Sequence, residues 1–209
     1  MANILILDSA ATGEASVSRK LTDGLAATIA RRHPGAHIVR RDIGARPIPH
    51  LDGETTSAIR GGEAETEAAR EAVALSDRLI AELKAADIVV IGAPMYNFGM
   101  PSTLKAWFDH VLRAGITFRY TAAGPEGLVK GKKAIVVETR GGLYSEGPAA
   151  AMDSQEPHLR TMLGFMGIDD VTFVRAEKLG FGPEAAATAI DAASALLDQL
   201  AGEELLLAA

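Results

Sequence analysis

Short apolar runs alternate along this chain with longer segments in which apolar residues recur every three to four positions. The short runs predict five strands, over residues 3–8, 36–41, 87–92, 133–138 and 170–174. The longer segments predict helices over residues 18–32, 66–85, 101–114, 154–166 and 183–200, with Pro101 and Pro183 in their first turns. Strands that alternate with helices of this length are typical of βαβ units and of a parallel sheet.

These elements predict an α/β fold, a doubly wound five-stranded parallel sheet with helices on both faces. We take the strand order 2-1-3-4-5 by analogy, because it is the commonest order for a small sheet with a phosphate site after its first strand. The chain has 209 residues, of which 48% are hydrophobic, and this is enough for one domain with a sizeable core. We therefore expect a single domain over residues 1–209.

Charge and composition narrow the class of protein. The formal net charge of −6 argues against a nucleic-acid surface, because such surfaces are usually basic. The chain has no cysteine, so it has no disulfide, no thiolate nucleophile and no cysteine metal site. No basic leader precedes the first strand, and no apolar run approaches the roughly 20 residues that span a bilayer. We expect a cytoplasmic protein that binds neither nucleic acid nor membrane.

Two stretches interrupt the regular alternation. Residues 44–65 are rich in Pro, Gly and Thr, and a loop of this length is either a mobile lid or a tolerated surface loop. Residues 115–132 carry Phe118, Arg119 and Tyr120 among several glycines, which indicates a turn-rich excursion before the fourth strand. We expect this excursion to place its aromatic side chains near the ligand-binding edge of the sheet.

The first predicted strand is followed by hydroxyl side chains that suit an anion. Ser9 comes directly after the strand, and Ser16 and Ser18 precede the first helical pattern. Hydroxyls and the free N–H groups at a helix N-terminus together bind phosphate well. A serine before a helix is also the usual N-cap, which alone would account for Ser16 or Ser18.

Aromatic residues follow the third predicted strand, in the run from Pro94 to Phe98. Tyr96 and Phe98 suit a flat ring, although aromatic residues at this point can also simply cover the core. Asn97 lies between them and offers an amide that core filling does not explain. Open α/β sheets bind ligands at the carboxyl ends of their strands, so this loop and the first one would belong to one site.

A third loop follows the fourth strand, at Thr139, Arg140, Gly141 and Gly142. Paired glycines let the main chain approach a ligand closely, although they also have a purely structural explanation in a β-to-α turn. The convergence of three loops on one sheet edge is the stronger observation. A phosphate cradle beside walls for a flat ring predicts a phosphorylated aromatic cofactor, and flavin mononucleotide (FMN) is the best candidate.

Other kinds of active site find little support. The chain contains neither G-x-x-x-x-G-K-[ST] nor G-x-G-x-x-G, and no G-x-S-x-G nucleophile motif. Its five histidines have no metal spacing, because Pro34 and Gly35 rule out a helical pair of His33 and His37. Asp8 stands alone after the first strand, where a phosphoacceptor domain needs several carboxylates. We therefore expect no metal site.

Together these motifs resemble those of the bacterial FMN-dependent NADH-azoreductases, also described as FMN-dependent NADH:quinone oxidoreductases. The resemblance extends through nearly the whole chain and is most specific over residues 93–142. It rests on Ser9, Ser16-x-Ser18, Pro94-Met95-Tyr96-Asn97-Phe98, Ala114-Gly115-Ile116-Thr117-Phe118-Arg119-Tyr120, Gly124-Pro125-Glu126-Gly127-Leu128, Lys132-Lys133 and Arg140-Gly141-Gly142. It implies a flavodoxin-like fold and a homodimer with one FMN per subunit and active sites at the dimer interface.

The resemblance also implies roles for individual residues. The FMN phosphate would be bound by Ser9, Ser16, Val17 and Ser18. The ribityl chain and the isoalloxazine ring would be contacted by Pro94, Met95, Tyr96, Asn97, Phe98, Thr139, Arg140, Gly141, Gly142 and Tyr144. The substrate pocket would be bordered by Arg60, Phe118 and Tyr120, from the same subunit or across the dimer interface. A solvated surface position is an equal alternative for Arg60.

The implied activity is a ping-pong reaction in which the cofactor carries the electrons. NADH or NADPH would reduce the flavin and leave, and a quinone or azo compound would then take two electrons at the same place. Quinones would become hydroquinones, and azo compounds would be cleaved to amines in two such cycles. The donor preference and the physiological acceptor stay open.

Some positions depart from the family pattern and leave the size of the pocket open. Thr139 stands where serine is common, Tyr144 stands where some relatives have histidine, and Gly99-Met100-Pro101 replaces a more polar turn. Two other classes of protein also remain open. One is a flavodoxin-type one-electron carrier without its own small-molecule substrate, and the other is a binding protein with this fold and no flavin.

Overall fold

The computed structural model describes residues 2–202. In chain order its elements are β1 (Asn3–Asp8), α1 (Val17–Arg32), β2 (His37–Asp42), α2 (Gly53–Ile59), α3 (Glu67–Ala85), β3 (Ile88–Pro94), α4 (Ser102–Val111), β4 (Phe118–Thr121), β5 (Gly124–Gly127), β6 (Lys133–Thr139), α5 (Glu156–Met166), β7 (Asp170–Ala176) and α6 (Pro183–Leu200). Short 3₁₀ turns cover Gly13–Ala15 and Pro148–Met152.

The main sheet has the order β2-β1-β3-β6-β7, and every neighbouring pair is parallel. Strands β4 and β5 form a separate antiparallel hairpin. Numbered within the main sheet alone, the order is 2-1-3-4-5, so the predicted topology is confirmed. Because all five strands run the same way, the loops that follow β1, β3 and β6 leave from one edge, the carboxyl edge.

The predicted elements are all present, with small differences in their bounds. The largest is at α4, which ends at Val111 rather than at residue 114. There the N–H of Arg113 donates to the hydroxyl of Thr117 at 2.9 Å, and the chain turns out of the helix. Pro101 is the N-cap of α4 rather than part of its first turn, whereas Pro183 is the first residue of α6 as predicted.

The segment over residues 44–65, predicted as a loop, contains the short helix α2. The Asp52 carboxylate accepts the N–H of Thr55 at 2.8 Å, while the Thr55 hydroxyl accepts the N–H of Asp52 at 2.9 Å. This reciprocal capping box satisfies N–H groups that otherwise lack a partner at a helix start. The sequence signal Asp-x-x-Thr is present, but the surrounding prolines and glycines obscure it.

Two apolar clusters lie on opposite faces of the sheet. One packs α3, α4 and α5 against the sheet and includes the fully buried side chains of Trp107 and Phe108. The other lies under α1 and α6 and includes Leu25 and Leu197. Helices on both faces therefore bury β3 along its whole length. Within residues 2–202, no helix combines the length and the apolar character that crossing a bilayer requires.

The hairpin of β4 and β5 docks at the C-terminal end of α5. The N–H of Val129 donates to the carbonyl of Met166, the last residue of α5, at 2.8 Å. A side chain on Gly127 would begin 2.2 Å from the nitrogen of Gly167, so the two main chains are in direct contact. This end of α5 leads into the start of β7, at the amino edge of the sheet. The expectation that the excursion lies near the ligand-binding edge is therefore wrong within a single chain.

Candidate functional site

Three loops meet at the carboxyl edge of the main sheet. The loop after β1 joins the loop after β3 because the N–H of Ala11 donates to the Tyr96 hydroxyl at 3.1 Å. Pro94 is the last residue of β3, and the next residue, Met95, donates its N–H to the Thr139 carbonyl of β6 at 2.9 Å. The three loops therefore form one continuous border, which we call the rim.

The loop after β1 presents hydroxyls and helix N–H groups together. Ser16 is the N-cap of α1, and its side chain accepts the N–H of Arg19 at 3.4 Å. The hydroxyls of Ser16 and Ser18 lie 2.9 Å apart. Val17 and Ser18 begin the helix, so their N–H groups have no partner within it. The N-cap interpretation of Ser16 is correct, and the same geometry suits an anion.

The Ser9 hydroxyl and the charged side chains beside this loop are already hydrogen-bonded within the protein. The Ser9 hydroxyl donates to a main-chain carbonyl of β3 at 2.6 Å, and Ser9 is buried. The buried carboxylate of Asp8 accepts a hydrogen bond from Arg40 at 2.5 Å, and Arg19 pairs with Asp42. An anion at this loop would therefore be bound by the Ser16 and Ser18 hydroxyls and by N–H groups, rather than by these two guanidinium groups.

The loop after β3 makes a tight turn that exposes two aromatic rings. Tyr96 and Gly99 exchange main-chain hydrogen bonds of 2.9 and 3.1 Å around Asn97 and Phe98. The φ angles are 47° at Asn97 and 70° at Phe98, and two positive values in succession define a type I′ turn. This conformation costs a residue other than glycine about 1–3 kcal/mol. The side chains of Tyr96 and Phe98 remain 36% and 40% exposed.

The loop after β6 brings two glycines beside an aromatic ring. A side chain on Gly142 would begin 2.9 Å from the Tyr144 ring, so the ring lies against this glycine. The Tyr144 ring also faces Phe98 edge to face, with ring centroids 6.0 Å apart. Apart from Gly141 and its two chain neighbours, no atom of residues 2–202 lies within 4 Å of the point where a side chain on Gly141 would begin. The rim thus leaves room for a flat ligand near glycine main chain and aromatic walls.

Arg140 is a predicted site residue whose charged side chain is entirely buried. Its guanidinium donates to Glu138 at 2.7 Å, to Gln155 at 3.1 Å and to Glu177 at 3.2 Å. Its main-chain N–H and carbonyl are also hydrogen-bonded, to Ala176 and Leu179. The Arg140 side chain therefore points into the protein rather than along the open side of the loop.

Gln155 and Glu177 are residues of this site that the sequence patterns did not single out. Gln155 is fully buried, and its amide also donates to the Ala93 carbonyl of β3 at 2.9 Å. Glu177 accepts the N–H groups of Tyr144 and Ser145 at 2.8 and 3.0 Å. The sequence offered only a weak signal for these two residues. Glu177 directly follows β7 and Gln155 directly precedes α5, and polar residues at such positions are usually on the surface.

Glu138 is a buried acid directly behind the loop after β6. Burial raises the pKa of Glu138 to about 8, although the charge of Arg140 opposes the shift. Arg140 also faces Asp153 and Glu177 at 3.1 and 3.2 Å, so its charge is shared among several carboxylates. For Glu177, burial would raise the pKa, but hydrogen bonds from Ser145, the Tyr144 N–H and Arg140 lower it below its ordinary value.

Two of the three predicted substrate-pocket residues, Phe118 and Tyr120, lie on the β4–β5 hairpin, at the end of α5 opposite the rim. Phe118 is 8% exposed and packs edge to face on Phe165 near the C-terminal end of α5, with centroids 4.6 Å apart. Tyr120 contacts Phe118 and is 74% exposed. Arg60 is the C-cap of α2, and its side chain is exposed. Phe118 is thus a packing residue, whereas Tyr120 presents its ring to the outside.

The chain matches known proteins over almost its whole length. The family model of the flavodoxin-like fold matches residues 2–200. The FMN-dependent NADH:quinone oxidoreductase of Hyphomonas neptunium is 57% identical over 203 residues, which cover 96% of each protein. The chain belongs to the FMN-dependent NADH:quinone oxidoreductase family. The family resemblance and the flavodoxin-like fold predicted from the sequence are both confirmed.

Solved structures of azoreductases have the same fold as this member of the FMN-dependent NADH:quinone oxidoreductase family. An azoreductase from Bacillus anthracis str. Sterne has a TM-score of 0.86 at 31% identity, over 98% of this chain and 100% of that one. An FMN-dependent NADH-azoreductase from Bacillus anthracis str. Ames Ancestor was solved in complex with FMN. It has a TM-score of 0.86 at 25% identity, over 97% of this chain and 100% of that one.

Proposed function

We propose that this chain is an FMN-dependent oxidoreductase that takes electrons from NADH or NADPH and reduces quinones and aromatic azo compounds. It is a single domain, works in the cytoplasm and forms a homodimer with one FMN per subunit. The observation that carries the proposal is the continuous rim, which has hydroxyls at one end and aromatic rings at the other. Family membership supports the same chemistry, because the relatives are named for FMN, NADH and quinone.

The parts of the rim match the parts of FMN. Hydroxyls and helix N–H groups suit the phosphate, and the α1 N-terminus favours its negative charge. The open space at Gly141 and the strained turn at Asn97 suit a ring that packs closely against main chain. The residues we assign to FMN through side chain or main chain are Ser9, Ser16, Val17, Ser18, Pro94, Met95, Tyr96, Asn97, Phe98, Thr139, Gly141, Gly142 and Tyr144.

When bound, FMN would supply two-electron transfer, first from the nicotinamide and then to the acceptor, in a ping-pong reaction. The chain binds and orients the reactants. Phe98 and Tyr144 would exclude water from one side of the bound ring, and the exposed amide of Asn97 would hydrogen-bond its polar edge. Reduction of each quinone consumes one NADH and one proton, and cleavage of each azo bond consumes two NADH and two protons. The proposed reaction requires no acid–base pair of side chains. The residues that we assign to FMN include no such pair, which is compatible with this reaction.

The homodimer part of the proposal rests on the position of Tyr120. Helix α5 has 11 residues, which span about 16 Å at 1.5 Å per residue. Its N-terminal end adjoins the rim, where the N–H of Ser154 donates to the Phe98 carbonyl at 3.0 Å. The hairpin that carries Tyr120 docks at the opposite end. Tyr120 can therefore border a substrate pocket only if a second copy of the chain brings its own rim to this ring.

The test is anaerobic stopped-flow absorbance of the FMN-loaded protein. The protein is mixed first with NADH or NADPH and then with benzoquinone or a simple azo dye. We expect rapid loss of oxidised-flavin absorbance with one nucleotide, followed by reoxidation with one quinone per flavin. A protein that takes up no FMN would be a binding protein of another kind. Slow reduction by both nucleotides, with electrons passed on singly, would identify a flavodoxin-type carrier instead.

A further inference from the structure

Arg140, Gln155 and Glu177 form a buried connection between two of the loops of the rim. We propose that these three residues, the Arg140 brace, are positioning residues that set the distance between the loop after β3 and the loop after β6. The inference rests on the proposed function, because the space between those loops is where the FMN ring would bind. None of the three side chains needs to touch the cofactor for this role.

One end of the brace is at β3. Gln155 directly precedes α5, and its N–H donates to the Asp153 carboxylate at 2.8 Å, which fixes its main chain. Its amide nitrogen donates to the Ala93 carbonyl at 2.9 Å, and its amide oxygen accepts from the Arg140 Nε at 3.1 Å. A single fully buried side chain thus links the guanidinium to the residue before Pro94.

The other end of the brace is at the loop after β6. One Glu177 oxygen accepts the N–H groups of Tyr144 and Ser145 and a hydrogen bond from Arg140 at 3.2 Å. The other oxygen accepts the Ser145 hydroxyl. These bonds hold the main chain at Tyr144, whose ring contacts Phe98 across the rim. The carboxylate therefore determines where the aromatic wall stands relative to the loop after β3.

Stability alone is a weak explanation for such an arrangement. Buried ion pairs often contribute no more than well-packed apolar side chains of the same volume, because removing the charges from water is costly. A guanidinium, in contrast, donates in a plane in fixed directions, which lysine and apolar residues cannot do. Here the donors are directed at Gln155 on one side and Glu177 on the other. Directional linkage of two loops is what this chemistry provides.

The experiment compares four variants of the full chain, prepared without FMN. Gln155→Met keeps the length of the side chain and breaks the β3 end, while Glu177→Ala breaks the other end. Glu177→Gln keeps an oxygen that accepts the two N–H groups and serves as the conservative variant. Glu82→Gln is the matched control, since it removes an ion pair with Arg41 that joins α3 to β2. Two quantities are measured: the Kd for FMN by fluorescence titration, and hydrogen–deuterium exchange of peptides over residues 94–100 and 141–146.

We expect Gln155→Met and Glu177→Ala to raise the Kd for FMN about tenfold or more, since each leaves buried polar groups unpaired beside a loop. In the FMN-free protein we expect faster exchange over residues 94–100 in Gln155→Met and over residues 141–146 in Glu177→Ala. Glu177→Gln and Glu82→Gln should stay near the wild type in both measurements. The inference would be overturned if Gln155→Met and Glu177→Ala both showed the same hydrogen–deuterium exchange as the wild type in both loops. If the wild type binds no FMN, the proposed function is wrong. The hydrogen–deuterium exchange data would still show whether the Arg140 brace positions the two loops.

Discussion

At the scale of single residues, Asn97 combines two properties that substitution can separate. Its amide is exposed on the rim, and its φ of 47° is a conformation that glycine adopts most easily. Asn97→Gly removes the amide and relaxes the turn, whereas Asn97→Ala removes the amide and adds strain of about 1–2 kcal/mol. The two variants therefore distinguish a hydrogen bond to the cofactor from a purely conformational role.

We expect both Asn97 variants to bind FMN about tenfold more weakly, the loss of one hydrogen bond in a closed site. Only Asn97→Ala should also unfold at a lower urea concentration. The measurements are fluorescence titration with FMN and urea unfolding of the FMN-free protein. Weak binding by the alanine variant alone would show that Asn97 serves the turn and not the ring.

The buried acid Glu138 makes stability depend on pH. Its pKa of about 8 in the folded protein lies above the ordinary value of 4.5, so the folded state holds a proton that the unfolded state has released. Between these two values the folded state binds more protons, and the free energy of unfolding therefore falls as pH rises. The groups that face Glu138 are Arg140, Arg175, Asp153 and Glu156.

Glu138→Gln removes the titration and keeps the shape of the side chain. We expect the free energy of unfolding of the variant to fall less than that of the wild type as the pH is raised from about 5 to about 9. Urea unfolding at several pH values measures both curves, and the other titrating groups are common to the two proteins. Parallel curves across this range would mean that Glu138 is already ionised at neutral pH in the fold.

At the scale of elements, the contact of Gly127 with Gly167 fixes the β4–β5 hairpin to α5. We expect Gly127→Ala to cost about 1–3 kcal/mol of unfolding free energy, because the new methyl group would overlap main chain that cannot move aside easily. Gly24→Ala is the matched control, since apart from its chain neighbours and the nearby backbone of α1, nothing among the described residues lies within 4 Å of its Cβ position. This control lies inside α1 and should gain up to about 1 kcal/mol. Equal stability of both variants in urea would show that the hairpin shifts without cost.

The sequence predicted those elements whose structure follows from the pattern of neighbouring residues. It did not predict features that depend on contacts with residues far away in the chain. The apolar runs at residues 88–91 and 134–137 are buried on both faces, so the parallel sheet and its rim follow from local pattern. The inward direction of Arg140 depends on Gln155 and Glu177, which lie 15 and 37 positions further along the chain. The place of the β4–β5 hairpin likewise depends on the Gly127–Gly167 contact, which no periodicity reveals.

At the scale of the whole molecule, the separation of Tyr120 from its own rim predicts that one complete site needs two chains. The Phe118 ring is used within the chain to pack on Phe165, while the Tyr120 ring is 74% exposed. One edge-to-face contact joins the Tyr120 ring to Phe118 in its own chain, and its exposed part can form a wall of a pocket in a second copy. This arrangement can be tested by giving the two chains of a dimer different defects.

One chain carries Tyr120→Ala and the other carries Gly141→Leu, whose side chain would fill the open space on the rim and block FMN. Each homodimer should then be defective, the first in acceptor reduction and the second in FMN binding. In a mixed dimer with sites formed across the interface, one site would contain both defects and the other none. We therefore expect mixing and reassembly to restore about half of the wild-type quinone reductase activity per mixed dimer, the share of intact sites in a two-site assembly. If each site were formed within one chain, every site in the mixed dimer would carry one defect, and no activity would return.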